Sequence, residues 1–74
     1  MNLRQIDRIA RQHMHDWLGK SVWTLGPWMR SVYVIGQTNY LHKTITLSKV
    51  LFPIQPEWIV HDTVLHEVAH ALVG

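Results

Sequence analysis

Three residues in the last part of the sequence have the types and spacing of a metal site with an adjacent base. His66, Glu67 and His70 follow the pattern H-E-x-x-H within VLHEVAHALVG, residues 64–74. On a helix, side chains four residues apart lie one above the other, about 6 Å apart along the axis. Two imidazoles can therefore bind one zinc ion. Glu67 lies beside them, where a zinc peptidase has the general base for an activated water.

Coincidence is the alternative interpretation of this pattern. A chain with six His and two Glu gives it in about one shuffled sequence in a hundred. If the pattern arose by chance, two His and a Glu would also lie on an apolar helix without a function, although unpaired buried charge is unfavourable there. We therefore predict a Zn²⁺ site with His66 and His70 as ligands and Glu67 as the catalytic residue.

The third protein ligand that a catalytic zinc normally takes is not evident. Asp62, one turn before His66, either accepts a hydrogen bond from the His66 ring or is a solvated acid. His61 lies about 140° around the helix from His66, which excludes it from the same ion. The other candidates, none favoured by spacing and each more typical of a surface or an interface, are His13, His15 and His42. A neighbouring copy that supplies His42 or His13 would complete the site, so a homo-oligomer is one interpretation.

The composition predicts one small folded domain. The 74 residues are 47% hydrophobic and 16% charged, which favours a packed core over disorder. Disulfides are excluded because there is no Cys, and this fits a reducing compartment. No apolar run approaches the roughly 20 residues of a membrane span, and residues 1–12 lack the apolar stretch of a secretory signal. We expect a soluble, cytoplasmic protein without a membrane partner.

The first 18 residues are predicted to form an amphipathic helix. Asn2 is a candidate N-cap and Gly19 a candidate stop. Apolar residues recur at intervals of three and four, at Leu3, Ile6, Ala10, Met14 and Trp17. A second stripe contains Arg4, Arg8 and Arg11. It is either a solvated face or a surface that contacts nucleic-acid phosphates, and the formal net charge of +2 permits both.

Three short strands and a final helix are predicted after this helix. The strand candidates are residues 21–25, 30–35 and 43–50, and their short connections favour an antiparallel sheet. In the last strand, Ile45 and Leu47 alternate with polar residues. The final helix is predicted from Pro56 to Val73, and its dense apolar residues indicate that it is largely buried. The predicted fold class is α+β: helix, three-stranded antiparallel sheet, helix.

The segments KTITLSKVLF and DTVLHEVAHALVG together resemble the SprT-like zinc metalloproteases, the family that includes Spartan. The resemblance is carried by Ile45–Ser48 in the last strand and by the residues around the motif, which are Asp62, Thr63, His66, Glu67, His70 and Ala71. The combination of I-x-L-S with D-T-x-x-H-E-x-x-H-A is more specific than the zinc motif alone, which many peptidase families share. The resemblance covers most of the chain.

This resemblance implies a zincin, or minimal gluzincin-like, fold with His66 and His70 as zinc ligands and Glu67 as catalytic base. It implies hydrolysis of peptide bonds, and relatives of Spartan cut proteins crosslinked to DNA and depend on DNA. The family's third ligand is a His in a segment after the motif helix. Residues 1–74 are therefore expected to be the front half of such a domain, truncated before that ligand. The alternative is a non-catalytic module that keeps the fold and binds nucleic acid or protein.

Overall fold

Two helices enclose three short strands and one turn of 3₁₀ helix in the computed structural model, which describes residues 1–74. The elements are α1 (Leu3–Leu18), β1 (Thr24–Leu25), β2 (Gly36–Asn39), β3 (Thr44–Leu47), the 3₁₀ turn (Phe52–Ile54) and α2 (Glu57–Val73). The predicted α+β class, with one helix at each end of the chain, is confirmed. The structure contains no helix with the length and apolar character required to cross a bilayer.

Helix α1 begins and ends where its sequence predicts. The Asn2 side chain accepts from the Gln5 backbone N–H, and the Gln5 side chain accepts from the Asn2 backbone N–H, which completes a capping box. At the other end, Gly19 adopts a φ of 58°, which an L side chain rarely adopts, and its N–H donates to the carbonyl of His15. Both ends of α1 therefore follow from local side-chain chemistry.

The sheet is mixed, with strand order β1-β3-β2, so the predicted fully antiparallel sheet is wrong. Strand β1 pairs with β3 in parallel, with Thr24 opposite Thr44. Strand β2 pairs with β3 antiparallel, with Gly36 opposite Leu47. Parallel neighbours need a long crossover connection. Residues 26–43, which include β2, form that connection and bring β3 back between the two earlier strands.

The second strand lies later in the chain than its sequence indicates. Residues 30–35, predicted as a strand, are irregular, and Tyr33 is 93% exposed. The strand is instead residues 36–39, with the sequence GQTN, which has no large apolar side chain. Its backbone pairs with β3 over all four residues. Pairing with a neighbouring strand, rather than β propensity, therefore decides where β2 forms.

The core lies between the two helices and one face of the sheet. Strand β3 alternates as predicted, with Ile45 and Leu47 buried. The complete core is Ile6, Ala10, Met14, Ile45, Leu47, Phe52, Val60, Val64 and Val68. The prediction that α2 is largely buried is wrong. Trp58 and Leu72 are 69% and 55% exposed, and four residues of the helix are buried. Helix α2 therefore covers the sheet with one stripe and leaves an apolar face open.

Candidate metal and base site

His66 and His70 lie one turn apart on an exposed side of α2, and their rings face each other. The two Nε2 atoms are 3.1 Å apart, and the ring centroids are 4.7 Å apart with the planes at 81°. The sequence spacing thus brings two imidazole nitrogens to adjacent positions at the protein surface. The His66 and His70 side chains are exposed, so there is room for an ion beside them.

The arrangement of these two rings fits a shared zinc ion. Imidazole nitrogens bind zinc at about 2.0–2.1 Å, and two nitrogens 3.1 Å apart can both lie at that distance from one ion. The separation is therefore compatible with a shared ion, and it also lies within hydrogen-bond distance.

No third His, Cys, Asp or Glu lies close enough to join His66 and His70 in a metal-binding group. Asp62 is exposed, and the His66 ring contacts His70 rather than Asp62, which agrees with a solvated acid. His61 is paired elsewhere, with His13. The two remaining candidate residues, His15 and His42, are exposed and lie outside α2. The structure thus brings together the two predicted zinc ligands, His66 and His70, without a third.

Glu67 lies on an adjoining face of α2 and is buried against β2. Its side chain is only 7% exposed, and none of the ion pairs in the structure includes it. Its hydrogen-bonding neighbour is Thr38, whose hydroxyl lies 3.1 Å from the Glu67 carbonyl oxygen and 3.5 Å from Oε1. A buried carboxylate normally has a cationic or metal partner. None of the ion pairs of the protein provides such a partner for Glu67.

Thr38 is a site residue that the sequence did not reveal. It lies in β2, in a tetrapeptide without the apolar residues that indicate a strand. Its contact with Glu67 spans 29 positions in the chain. Only the pairing of Thr38 with Ile45 of β3 places its side chain on the face covered by α2.

Two clefts meet at His70. One, of about 280 Å³, is lined by Glu67 and His70 from α2 and by residues of β2 and its turn, which are Gly36, Gln37, Thr38 and Tyr40. The other, of about 300 Å³, is lined by His66, Ala69, His70 and Val73. The Tyr40 hydroxyl donates to the His70 carbonyl at 3.1 Å and joins the end of β2 to the last turns of α2. The base and the two candidate ligands thus border adjoining spaces.

A second histidine pair joins the two helices through a direct hydrogen bond. His13 Nε2 and His61 Nδ1 are 2.7 Å apart, and the ring centroids are 5.0 Å apart. The difference equals about two centroid-to-nitrogen distances, so the nitrogens point straight at each other, as a hydrogen bond requires. His61 Nε2 lies 3.9 Å from a Glu57 carboxylate oxygen. Which of the two facing nitrogens donates depends on the tautomers of the rings.

The His13–His61 pair was not predicted because each residue is unremarkable on its own helix. His13 precedes the buried Met14, and His61 follows the buried Val60. Their contact spans 48 positions and depends on how α1 packs against α2. Burial lowers the pKa of the His13 imidazole from its ordinary value of 6.5. The neighbouring His61 lowers it further, whereas Asp16 acts in the opposite direction.

Acidification from about pH 7.5 to about pH 5 is expected to destabilise the fold through His13. Because its folded-state pKa lies below 6.5, the unfolded chain takes up the proton first. The contribution of His13 to the free energy of unfolding is therefore intact above about pH 6.5 and is lost progressively as the pH falls below that value. Urea unfolding midpoints at both pH values should fall more in the wild type than in His13→Gln. The exposed His15→Gln is the control and should keep the wild-type loss. Equal losses in all three proteins would refute this role.

The arginine stripe lies along a shallow groove on the outside of α1. The groove encloses about 540 Å³ and is lined by Arg4, Asp7, Arg8, Arg11, Gln12 and His15. Arg11 Nε donates to Asp7 Oδ2 at 2.9 Å, so one of the three positive charges is partly compensated. Arg4 and Arg8 are exposed and form no ion pair. They are free to contact phosphates, and their exposure agrees with both interpretations of the stripe.

Comparisons with protein-family models, with curated proteins and with solved structures find no match for this chain. The function must therefore be inferred from its residues and their geometry.

Proposed function

We propose that this chain carries the metal ligands and the base of a SprT-like zinc metallopeptidase with a zincin-type site, and that its activity is peptide-bond hydrolysis. The observation that carries the proposal is that His66 and His70 lie on one exposed side of α2 with their Nε2 atoms 3.1 Å apart. Glu67, buried and without a cationic partner, is the adjoining residue of the same helix. A metal ion held by His66 and His70 would be the cation nearest to this carboxylate along the helix.

Each residue of the motif has a separate role. His66 and His70 would hold the zinc through their Nε2 atoms. Zinc, when bound, acts as a Lewis acid that acidifies water and polarises a carbonyl. Glu67 accepts the proton of the attacking water and returns it to the leaving amine. Its side chain is largely buried, and it lines the cleft that it shares with His70.

Strand β2 supports a polypeptide as the substrate. It is an edge strand, because β3 lies on its other side. The Ser48 N–H donates to the Ile35 carbonyl, and Gly36 pairs opposite Leu47. In an antiparallel ladder successive residues turn their hydrogen-bonding groups alternately inward and outward. The main-chain groups of Gly36 and Thr38 therefore face away from β3. An extended peptide that paired with them would lie beside Glu67.

The remaining protein ligand must come from outside the group formed by His66 and His70. No third candidate side chain lies with them. A further polypeptide segment or a second copy of the chain can provide it. If a second copy provides this ligand, the active protein is a homo-oligomer. The exposed His42 of the second copy is then the candidate third ligand.

Zinc competition against a chromophoric chelator at neutral pH tests the metal site. We expect one Zn²⁺ per chain, with an affinity that falls by about tenfold or more in His70→Ala, since a deprotonated imidazole ligand is removed. His42→Ala is the matched control for an exposed histidine. His42→Ala should have the wild-type zinc affinity if the site is formed by a monomer. Its zinc affinity should be weaker only if His42 of a neighbouring copy is a ligand. Unchanged binding in the double variant His66→Ala/His70→Ala would refute the site.

A nucleic-acid-binding module is the second candidate function. The groove that contains the unpaired Arg4 and Arg8 favours it, because arginine side chains contact phosphates along a backbone. In a peptidase the same groove would bring DNA-associated proteins to the site. In a module without catalysis it would be the only functional surface, and substitution of Glu67 would then leave DNA binding unchanged.

A further inference from the structure

Glu67 is held between α2 and β2 by contacts that the H-E-x-x-H motif does not contain. The Thr38 hydroxyl has a single proton, so it donates to one oxygen at a time. The Glu67 carbonyl oxygen, at 3.1 Å, is within ordinary hydrogen-bond range, and Oε1, at 3.5 Å, is at its limit. The rotation of the hydroxyl therefore decides whether the carboxylate or the backbone carbonyl of Glu67 accepts the hydrogen bond.

Gly36 leaves the space that the Glu67 side chain occupies. A Cβ atom added at Gly36 would lie 3.2 Å from Glu67 Cγ and 3.6 Å from Cδ. The first distance is tighter than an ordinary contact, so a larger residue would require the Glu67 side chain to shift at Cγ by a few tenths of an ångström. Gly36 and Thr38 share one face of β2, since residues two apart in a strand do. Strand β2 thus provides Glu67 with space beside Gly36 and with a hydrogen-bond donor, the Thr38 hydroxyl.

We propose that Thr38 is a positioning residue for Glu67, with Gly36 providing the room. This inference rests on the proposed peptidase function. An ionised carboxylate is a stronger acceptor than a backbone carbonyl. Donation by Thr38 to Oε1 fixes one carboxylate oxygen and leaves the other to take the proton of the attacking water. The position of the general base is then set by the edge strand, on the side where the substrate chain would lie.

Carboxyl ¹³C NMR tests this contact without any need for activity. The chain has two glutamates, Glu57 and Glu67, so ¹³Cδ-labelled glutamate gives two resonances. Thr38→Val keeps the side-chain shape and removes the donor. It should move the Glu67 resonance and leave that of the exposed Glu57 in place, whereas Thr38→Ser should restore the wild-type position. Thr24→Val, at an exposed strand threonine, should change neither. A Glu67 resonance that coincides in the wild type and Thr38→Val would overturn the contact.

Steady-state kinetics separate positioning from a purely structural role. Thr38→Val should reduce kcat by about tenfold with little change in KM, and Thr38→Ser should recover most of the loss. Gly36→Ala should reduce kcat as well, because it displaces the carboxylate and leaves the hydroxyl intact. A wild-type kcat in Thr38→Val would refute the positioning role. If the wild type hydrolyses no peptide, the proposed function fails, and the NMR result still decides whether Thr38 holds Glu67.

Discussion

Replacing Glu67 with glutamine is expected to lower kcat for peptide hydrolysis by about 10²- to 10⁴-fold, the range of a general base. The amide has nearly the shape of the carboxylate and can still accept from Thr38, but it cannot take a proton from water. Zinc affinity should change little, because the imidazoles of His66 and His70 are untouched. Because glutamine has nearly the volume of glutamate, the variant should unfold at about the same urea concentration as the wild type.

Initial rates on a fluorogenic protein substrate, with the zinc content measured on the same samples, check this expectation. Glu57→Gln is the matched control, since Glu57 lies on the same helix and is exposed. It should retain the wild-type rate. Hydrolysis by Glu67→Gln at the wild-type rate would rule out the assigned base. A wild type that binds DNA but cleaves nothing, with DNA binding equal in Glu67→Gln, would support the binding module instead.

Replacing Phe52 with alanine is expected to cost about 3–5 kcal/mol of unfolding free energy. Phe52 is fully buried and is the largest of the fully buried side chains, and it lies where the 3₁₀ turn joins β3 to α2. Alanine removes the ring and leaves a cavity between the helices and the sheet. Small domains often have only about 5 kcal/mol in total, so this variant should keep at most about 2 kcal/mol of unfolding free energy.

Urea unfolding followed by tryptophan fluorescence measures this loss. Ile54→Ala is the matched control, in the same 3₁₀ turn with a side chain that is 74% exposed. Its unfolding free energy should stay within about 0.5 kcal/mol of the wild type. A loss below about 1 kcal/mol in Phe52→Ala would mean that the turn does not pack against the core as described.

Local chemistry in the sequence determined the helices and the alternation of the last strand. Asn2 and Gln5 cap α1, Gly19 ends it, and α2 begins within one residue of the predicted Pro56. Ile45 and Leu47 alternate with polar neighbours, and this pattern alone predicted the buried face of β3. The spacing of His66 and His70 likewise predicted two adjacent rings, because a helix places residues four apart on one side. These features depend on interactions within a few residues.

Tertiary structure decided everything that depends on distant parts of the chain. The four residues of β2 became a strand because β3 offered pairing partners, while the more apolar segment 30–35 remained irregular. The parallel pairing of β1 with β3 followed from the crossover between them. The partners of Glu67 and His13, which are Thr38 and His61, lie 29 and 48 positions away. Propensity and spacing carry no information on such contacts, because the packing of α2 against α1 and β2 creates them.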